Sequence, residues 1–343
     1  MEQKAKVKSY YRVSEFQQKV LDSRKKVFER GFDVGFHSAY NYLSLKRGFS
    51  SYIYSEPFSG KTSYVFDSYM YIAKKYDAII MLFSPESGGK EALISYLVQI
   101  YLGKKLHGKE AQEATDEEWL EALAFIDKHF IILDPKVVGK NKVDFTTELL
   151  FQQVYDAQIE YGCKIDILLI DPHTMLRKSS EDRKKSISDY ILDNLYYINH
   201  VAESMDIHIQ IAMHSTSDST VIDKDTGIEF NPKPHPNRIA NGRNVFRTGQ
   251  TMMGMWRCPT GVIDKTVGLP YPDNCTDFFV QKNKILGAGD TGMFRLFYDI
   301  SKQKFYEEIN GQRYYCGEYE SLVTAKPTAM SPSKFFDDDE NIF

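Results

Sequence analysis

A short apolar segment, a loop and a Gly-Lys-Thr triplet constrain the fold of this chain more than any other part of its sequence. The apolar segment is Tyr52-Ile53-Tyr54, and a helical pattern runs from Thr62 to Lys75. The loop between them reads Ser55-Glu56-Pro57-Phe58-Ser59-Gly60-Lys61-Thr62-Ser63. Backbone N–H groups at the start of such a helix point at phosphates, the lysine reaches the β- and γ-phosphates, and the threonine hydroxyl holds Mg²⁺. We therefore predict that this loop binds a nucleotide, although Ser55 replaces the first glycine of the G-x-x-x-x-G-K-[ST] pattern.

Composition and charge narrow the class of protein. The chain has 343 residues, of which 42% are hydrophobic and 26% charged, as in ordinary globular domains. Because the net charge is −4, any contact with nucleic acid must come from a local basic patch. No apolar run approaches the roughly 20 residues of a membrane span, and the four cysteines form no C-x-x-C pair. We therefore expect a cytoplasmic protein with reduced thiols that does not cross a membrane.

Strand and helix patterns alternate along most of the chain. Continuous apolar runs at Ile79–Phe83 and Ile165–Ile170 are typical of buried parallel strands, and they alternate with helical patterns such as Asp116–His129 and Ile187–Met205. A further helix is expected at Ser38–Lys46. This order predicts an α/β fold with a mostly parallel central sheet and extra C-terminal strands. We expect three segments, namely an N-terminal helical extension (1–30), the core domain (31–325) and an acidic tail (326–343).

Three polar residues follow predicted strands, at the edge of a parallel sheet where ligands bind. Asp171 ends the most apolar strand, where an acid can hold the water shell of Mg²⁺. Glu86 follows the strand after the loop helix and could polarise an attacking water as a general base. His214 ends the strand Ile207–Met213 and could sense the γ-phosphate. The alternative for Asp171 is a cap of the next helix, but together with Gly60-Lys61-Thr62 the metal role is favoured. Taken alone, Glu86 and His214 would be better interpreted as solvated or capping residues at strand ends.

Two late lysines form another candidate site. Lys282 and Lys284 have one residue between them, which places both on the same face of a strand. From there they could reach the γ-phosphate of a nucleotide bound by a neighbouring subunit. The alternative interpretation is a charged hairpin, in which the segment Gly287–Gly292 joins two strands.

Several further short motifs follow one another along the chain. They are Gly31-x-x-x-Gly35-Phe36, Ser84-Pro85-Glu86-Ser87, Ile170-Asp171, Met213-His214-Ser215, Asn241–Arg247 before Met255-Trp256-Arg257, and Lys282-Asn283-Lys284 with Gly289-Asp290-Thr291-Gly292. With the phosphate loop, this order resembles the DnaB-type hexameric helicases of the RecA-like superfamily, and most closely the helicase half of phage primase-helicases and of mitochondrial Twinkle. The resemblance covers residues 31–306 and implies a RecA-like P-loop NTPase that uses ATP and Mg²⁺.

The resemblance also implies a role for each candidate residue. Within one subunit these are Lys61 on the phosphates, Thr62 and Asp171 on Mg²⁺, Glu86 as the catalytic base, and His214 on the γ-phosphate. The neighbouring subunit of the family supplies a lysine and an arginine finger, which correspond here to Lys282 and Lys284. A lysine gives charge without the bidentate fork of arginine. Together with Ser55, this departure leaves weaker hydrolysis open.

In this family, the loops after the Mg²⁺ aspartate strand and after the histidine strand line a central channel for single-stranded DNA. Here the two loops carry the cations Arg177, Lys178, Arg183, Lys184, Lys185, Lys224, Lys233 and Arg238. Such side chains neutralise phosphates without reading sequence. From composition alone, solvated loops with incidental charge are an equal alternative. The resemblance implies a homo-oligomeric ring, most commonly a hexamer.

The end of the chain combines acidic and aromatic residues. Phe335 and Phe336 precede Asp337-Asp338-Asp339-Glu340, and Phe343 follows. This segment resembles the tails of single-strand-binding proteins and of phage replication helicases, which dock on basic partner surfaces. We therefore expect it to recruit another replication protein, and a solubilising tail is the alternative.

These features together predict an ATP-dependent helicase or translocase on single-stranded DNA that acts in DNA replication. The Lys, Tyr and Phe content favours a phage or mobile element as its source, which would place it in the cytoplasm of a bacterial host. Two alternatives remain. One is a RecA-type recombinase or loader that forms filaments. The other is a nucleotide-binding regulatory or structural protein with weak hydrolysis.

Overall fold

A ten-stranded sheet organises the computed structural model, which describes residues 12–134, 145–215, 220–239 and 242–319. The strands, in chain order, are β1 (Phe32–Asp33), β2 (Ser44–Leu45), β3 (Ser50–Ser55), β4 (Ile80–Phe83), β5 (Phe130–Ile132), β6 (Ile167–Ile170), β7 (His208–His214), β8 (Val221–Ile222), β9 (Glu229–Phe230), β10 (Thr251–Arg257), β11 (Ile263–Asp264), β12 (Leu269–Pro270), β13 (Cys275–Asn283), β14 (Gly292–Asp299), β15 (Lys304–Ile309) and β16 (Gln312–Tyr315). The helices are α1 (Gln17–Val27), α2 (Lys61–Tyr76), α3 (Lys90–Leu102), α4 (Asp116–His129), α5 (Thr147–Tyr161), α6 (Ile187–Met205) and α7 (Gly242–Thr248).

The central sheet has a parallel half and an antiparallel half. Its strand order is β16-β15-β14-β13-β10-β3-β7-β6-β4-β5. The strands from β10 to β5 run parallel, whereas β13 to β16 extend the sheet as an antiparallel meander. Because β3 lies between β10 and β7, the loop that follows β3 emerges at the carboxyl edge of the parallel half, with a parallel strand on each side. The predicted α/β fold with a mostly parallel sheet and extra C-terminal strands is confirmed.

Two hydrophobic layers cover the two faces of the sheet. Successive side chains of β3 alternate between them, with Ile53 in the layer that contains α2 and α3, and Tyr52 and Tyr54 in the layer that contains α5 and α6. Helix α2 is buried around most of its circumference, including Tyr64, Phe66 and other aromatic residues. Because α2 is held on several sides, the phosphate loop before it has a fixed position.

The helix predicted at Ser38–Lys46 is wrong. Residues 37–42 form turns, and Ser44–Leu45 pair with Phe32–Asp33 as the β1–β2 ladder. The backbone N–H groups of His37 and Ser38 donate to the carboxylate of Glu307 in β15, at 2.7 and 2.8 Å. A partner so distant in the sequence overrides the local helical preference, and helical periodicity cannot reveal it.

Two small hairpins lie where the sequence pattern gave no strands. β8 pairs with β9 inside the loop predicted after the strand that ends at His214, and β11 pairs with β12 between β10 and β13. Each of these strands has two residues, which is too short for an alternating pattern to show. Helix α7 also begins inside the predicted loop, at Gly242.

The two ends of the chain are described to different extents. Helix α1 agrees with the predicted N-terminal helical pattern, and its Val20 and Val27 are exposed. The boundary expected near residue 30 stays a prediction. The acidic tail predicted at 326–343 lies outside the described residues. In the part of the chain that is described, no helix has the length and apolarity needed to cross a membrane.

Candidate functional site

The predicted phosphate loop turns sharply before helix α2. Gly60 caps the helix with φ of 86°, a left-handed conformation that glycine adopts without strain. A Cβ at this position would also lie 3.0 Å from Cζ of Phe305. The Ser59 hydroxyl donates to the carbonyl oxygen of Glu56 at 2.7 Å and closes the turn. Phe58 also has a positive φ, of 61°, and its side chain is 95% exposed. The loop therefore leaves the α2 N-terminus open to an anion.

The departure at Ser55 is accommodated by the strand. Ser55 is the last residue of β3, where it pairs with His214 on one side and Met255 on the other. It is buried, and it is not among the residues with positive φ. An extended position in a strand does not need the conformational freedom of glycine. The left-handed turns of this loop come later, at Phe58 and Gly60.

Lys61, Thr62 and Asp171 meet at the start of α2. Nζ of Lys61 lies 3.0 Å from Oδ1 of Asp171, and Oγ1 of Thr62 lies 3.5 Å from Oδ2 of the same carboxylate. Lys61 and Asp171 are both buried. Mg²⁺ prefers oxygen ligands and is usually held by one or two carboxylates together with phosphate oxygens. The Thr62 hydroxyl and the Asp171 carboxylate fit that donor set.

Glu86 and His214 lie together although their strands are not neighbours. Nε2 of His214 is 3.3 Å from Oε2 of Glu86, and β6 runs between their strands β7 and β4. Both side chains are about half exposed, at 40% for His214 and 50% for Glu86. A hydrogen bond of 2.7 Å between the hydroxyls of Ser84 and Ser87 shapes the turn that carries Glu86. A carboxylate in this position is open to solvent and can accept a proton from water.

One cavity brings all of these candidates together. Its volume is about 410 Å³. The predicted residues that line it are Ser55, Glu56, Pro57, Phe58, Ser59, Gly60, Lys61, Thr62, Ser63, Glu86, Asp171 and His214. Tyr96 also lines it, and its hydroxyl lies 2.6 Å from that of Ser63. The cavity thus combines a helix N-terminus, a cation, an oxygen pair suited to Mg²⁺ and a candidate base.

A second cavity adjoins the first and was missed from the sequence. Its volume is about 320 Å³, and it shares Phe58, Ser59, Gly60 and Ser63 with the phosphate cavity. Arg257, Asn274, Tyr298 and Phe305 line its other side. A cation and aromatic rings suit the base and sugar of a nucleotide whose phosphates occupy the first cavity. Arg257 belongs to the segment Met255-Trp256-Arg257, but no local motif marks Asn274, Tyr298 or Phe305, which come from the loop before β13, from β14 and from β15.

Lys282 and Lys284 differ from each other in their surroundings. Lys282 is buried in β13, where its ammonium donates to the carbonyl oxygens of Phe246 and Arg247 at the end of α7. Burial, and then the charge of Lys284, lowers the pKa of Lys282 to about 8. Lys284 is exposed and lies one residue beyond the end of β13. The backbone N–H of Lys284 still donates to the carbonyl oxygen of Gln250 at 2.9 Å, and a shared face of the two lysines stays a prediction.

Both lysines lie far from the phosphate cavity of their own chain. Lys282 pairs with Met252, and Met252 pairs with Tyr52, near the start of β3. The phosphate loop begins only after Ser55, three residues further along, which corresponds to about 10 Å of strand. The lysines thus lie toward the amino edge of the parallel strands, opposite the two cavities at the carboxyl edge.

The cationic side chains predicted to bind DNA differ in their exposure and in the partners they already have. Lys185 forms ion pairs with Asp182 and Asp193 at 2.9 and 2.8 Å. Lys178 donates to the carbonyl oxygen of Lys185 at 3.0 Å. The exposed members of the set are Arg177, Arg183, Lys184, Lys185, Lys224 and Lys233, whereas Lys178 and Arg238 are partly buried. A role of these residues in DNA binding stays a prediction.

Comparison with known proteins supports the fold. No protein-family model matches the sequence, and no curated protein matches it. Many solved structures resemble this chain, among them the following two. The ATPase domain of a phage helicase superposes with a TM-score of 0.66 at 15% identity and covers 87% of this chain and 99% of that domain. A DnaB-like replicative helicase, solved in a study of its interactions with primase, gives 0.61 at 14% identity and covers 88% of this chain and 68% of that one. The resemblance predicted from the sequence is therefore confirmed at the level of the fold, which this chain shares with these two domains.

Proposed function

We propose that this chain is an ATP-dependent motor that assembles as a hexameric ring and translocates on single-stranded DNA during replication. The observation that carries the proposal is the single cavity that holds Lys61, Thr62, Asp171, Glu86 and His214. The fold shared with helicase ATPase domains adds to it. A phage or mobile-element origin, and recruitment of a replication partner by the tail at 326–343, remain parts of the proposal that rest on sequence alone.

Each residue of the cavity has a task in hydrolysis. The backbone N–H groups of the loop and the ammonium of Lys61 bind the phosphates, and the nucleoside lies against Arg257 and Tyr298 in the second cavity. Thr62 and Asp171 would hold Mg²⁺, which would supply positive charge to the phosphates. Glu86 accepts a proton from the attacking water. His214 contacts the γ-phosphate and holds Glu86 in place.

A neighbouring subunit completes the site in this proposal. Lys284 is exposed at the amino edge of the sheet, away from the nucleotide of its own chain. In a head-to-tail ring that edge meets the nucleotide cavities of the next copy. Lys284 then adds positive charge to the transferring phosphoryl group. Lys282 is already bound to two carbonyl oxygens, so its contribution is to support the edge that carries Lys284.

The experiment that tests the proposal is the ATPase rate of the purified protein with and without single-stranded DNA. We expect turnover that depends on Mg²⁺ and rises when an oligonucleotide is added. Glu86→Gln provides a matched control, because it should bind ATP but not turn over. An ATPase rate that stays the same at every concentration of single-stranded DNA would exclude a translocase.

A second candidate function has one specific observation in its favour. Lys284 supplies only a point charge where the family that the sequence resembles has an arginine, and this departure suits a nucleotide-binding regulatory protein with slow hydrolysis. Such a protein would bind ATP tightly and show turnover that neither DNA nor Lys284→Arg accelerates. A recombinase-like filament is the remaining alternative, and electron microscopy with ATP and DNA separates rings from filaments.

A further inference from the structure

A third cleft lies beside the nucleotide cavities, on the other side of the end of β10. It has a volume of about 510 Å³, which is enough for one nucleotide unit. One wall is the β8–β9 hairpin and the other is the β11–β12 hairpin. Trp256 faces this cleft, whereas the next residue, Arg257, lines the nucleoside cavity. Consecutive strand residues point to opposite faces, so the end of β10 separates the two spaces.

Hydrogen bonds and close packing hold the first wall against the sheet. Nε1 of Trp256 donates to the carbonyl oxygen of Asn231 at 2.6 Å, directly after β9. The side chain of Gln281 donates to the carbonyl oxygen of Pro234 at 2.8 Å. Pro234 also packs so closely on Gly254 that a Cβ there would lie 2.6 Å from it. The β8–β9 hairpin therefore has a fixed base on β10 and β13.

The second wall is anchored through a buried ion pair. Asp264 in β11 binds Arg295 at 2.8 Å, and Arg295 also binds Asp277 in β13 at 2.6 Å. The backbone N–H of Tyr271 donates to the carbonyl oxygen of Val262 at 2.9 Å, across the base of the hairpin. Because both walls are tied to the central sheet, the cleft exists before any ligand binds, and little ordering cost opposes binding.

The floor of the cleft is aromatic. The ring of Trp256 lies 6.2 Å from that of Phe230 and 5.4 Å from that of Tyr271. Trp256 and Tyr271 are nearly buried, and Phe230 is partly exposed. The aliphatic side chains of Ile222 and Ile263 stand exposed at the mouth, at 64% and 40%. An apolar floor of this kind suits a nucleobase, because every base has an apolar face that stacks on aromatic rings.

The rim of the cleft is mainly cationic. Lys224, Lys233 and Lys265 line it, and Nζ of Lys233 lies 5.8 Å from the centre of the Trp256 ring. Two aspartates also line it. Asp223 is occupied by its own turn, since it accepts from the backbone N–H groups of Asp225 and Thr226 and from the hydroxyl of Thr226. Asp225 is exposed at that turn. Lysines above an aromatic floor are the arrangement that binds a backbone phosphate and its base together.

We propose that this cleft binds one nucleotide of single-stranded DNA, with the base against Phe230, Trp256 and Tyr271 and the phosphate on Lys224, Lys233 and Lys265. The inference rests on the proposed function in one respect, namely that the protein binds single-stranded DNA. It goes beyond it because Tyr271 and Lys265 lie outside the two loops predicted to bind DNA, and because it assigns Phe230 a role in stacking. It also places a DNA contact at the strand end that carries Arg257, next to the nucleoside.

Tryptophan fluorescence tests the cleft directly. The chain has two tryptophans, so Trp119→Phe leaves Trp256 as the only one. We expect an oligothymidylate to quench Trp256 over the same concentration range in which the anisotropy of a labelled oligonucleotide rises. An abasic oligonucleotide of the same length and charge is the matched ligand, and it should bind about 5–100-fold more weakly because it cannot stack.

Point variants test which side chains of the cleft bind the oligonucleotide. Lys265→Ala should weaken binding and reduce the slope of log affinity against log salt by about 0.7, whereas the equally exposed Lys109→Ala should change neither. Phe230→Leu keeps the apolar volume but removes the stacking ring, so it should reduce the preference for thymidylate over the abasic strand. Circular dichroism of each variant confirms that the fold is retained.

Different results would contradict the proposed role of the cleft and the proposed function of the protein. Binding without a change in Trp256 emission, or equal affinity for the abasic strand, would overturn the cleft and leave the motor intact. The cleft would then be free for a protein ligand. A protein that hydrolyses ATP but binds no oligonucleotide at any salt concentration would overturn both the cleft and the translocase.

Discussion

Nε2 of His214 lies 3.3 Å from Oε2 of Glu86, and this contact links the carboxyl ends of two strands that are not adjacent in the sheet. Glu86 is the proposed base, and His214 begins the segment that leads to the β8–β9 hairpin. In the proposed function, a change in the contact of His214 with a phosphate would therefore alter the position of Glu86.

Glu86→Gln should stop turnover and leave ATP binding unchanged. The amide is nearly isosteric with the carboxylate but cannot accept a proton from water. General-base catalysis contributes about 10²–10⁴-fold, and we expect a loss of that size in kcat. Equilibrium binding of a labelled ATP analogue is the control, since its affinity should stay within error of the wild type. A loss of less than about tenfold would place the base elsewhere.

Lys61→Ala should abolish hydrolysis, because the phosphates lose the cation of the loop. The same change leaves the buried Asp171 without its partner at 3.0 Å. Removing one member of a buried pair costs about 3–5 kcal/mol, so the free energy of unfolding should fall by that order. The double variant Lys61→Met/Asp171→Asn should recover most of that stability while remaining inactive. If the double variant is no more stable than Lys61→Ala, the ion pair does not explain the loss.

Mixed assemblies test whether Lys284 acts in trans. Lys284→Ala and Lys61→Ala should each be inactive or weak, but a mixture contains sites in which an intact Lys284 meets an intact loop, and activity should return in part. Mixing Lys61→Ala with Glu86→Gln is the matched control, because both residues come from one subunit and no intact site can form. Lys284→Arg should raise turnover, since it restores the planar fork. Equal activity of the two mixtures, with co-assembly verified, would refute the shared site.

Arg257→Ala should raise the KM for ATP and leave kcat nearly unchanged. Arg257 lines the second cavity opposite the phosphate loop, where a nucleoside gains the same contact in the ground and transition states. Loss of one cation–π or stacking contact corresponds to about a tenfold increase in KM. Tyr298→Phe keeps the ring and serves as the control, with little expected change. A fall in kcat at constant KM would instead assign Arg257 to the reacting phosphates.

Local signals explain which parts of this fold the sequence predicts well. Helices α4 and α6 have the predicted bounds because the hydroxyls of Thr115 and Ser186 cap them, and such caps are visible in the sequence. The clustering of Lys61, Asp171 and Glu86 is predictable for a related reason, since parallel strands deliver their ends to one edge. The roles of these residues stay predictions until they are tested.

Other features depend on contacts between distant segments, and sequence patterns miss them. Arg257 and Tyr298 meet across strands that only the complete sheet brings together. The turns at 37–42 depend on Glu307 in β15. In each case the deciding interaction has no local signature.

His208 should make folding stability depend on pH. Its ring is buried between β3 and β7, where it contacts the hydroxyl of Ser51 at 2.8 Å and the carbonyl oxygen of Lys46 at 2.9 Å, and burial lowers its pKa from 6.5 to about 4. Asp67 opposes this effect, because burial raises its carboxyl pKa to about 6. The pH dependence of stability is therefore best compared between the wild type and a variant in which only His208 is changed, because the contribution of Asp67 is then the same in both.

The sign of the His208 contribution follows from proton binding. Between pH 6.5 and about 4 the unfolded chain binds a proton at His208 that the folded chain does not, so acid destabilises the folded state, by about 3 kcal/mol once the pH is below both pKa values. Above pH 7 this penalty is absent. His208→Gln removes the titrating group. Chemical denaturation at pH 4 and pH 7 gives the free energy of unfolding of both proteins. On going from pH 7 to pH 4, the wild type should lose stability relative to the variant by roughly that amount. If the difference in the free energy of unfolding between the two proteins does not depend on pH, His208 has the same pKa in the folded and unfolded states.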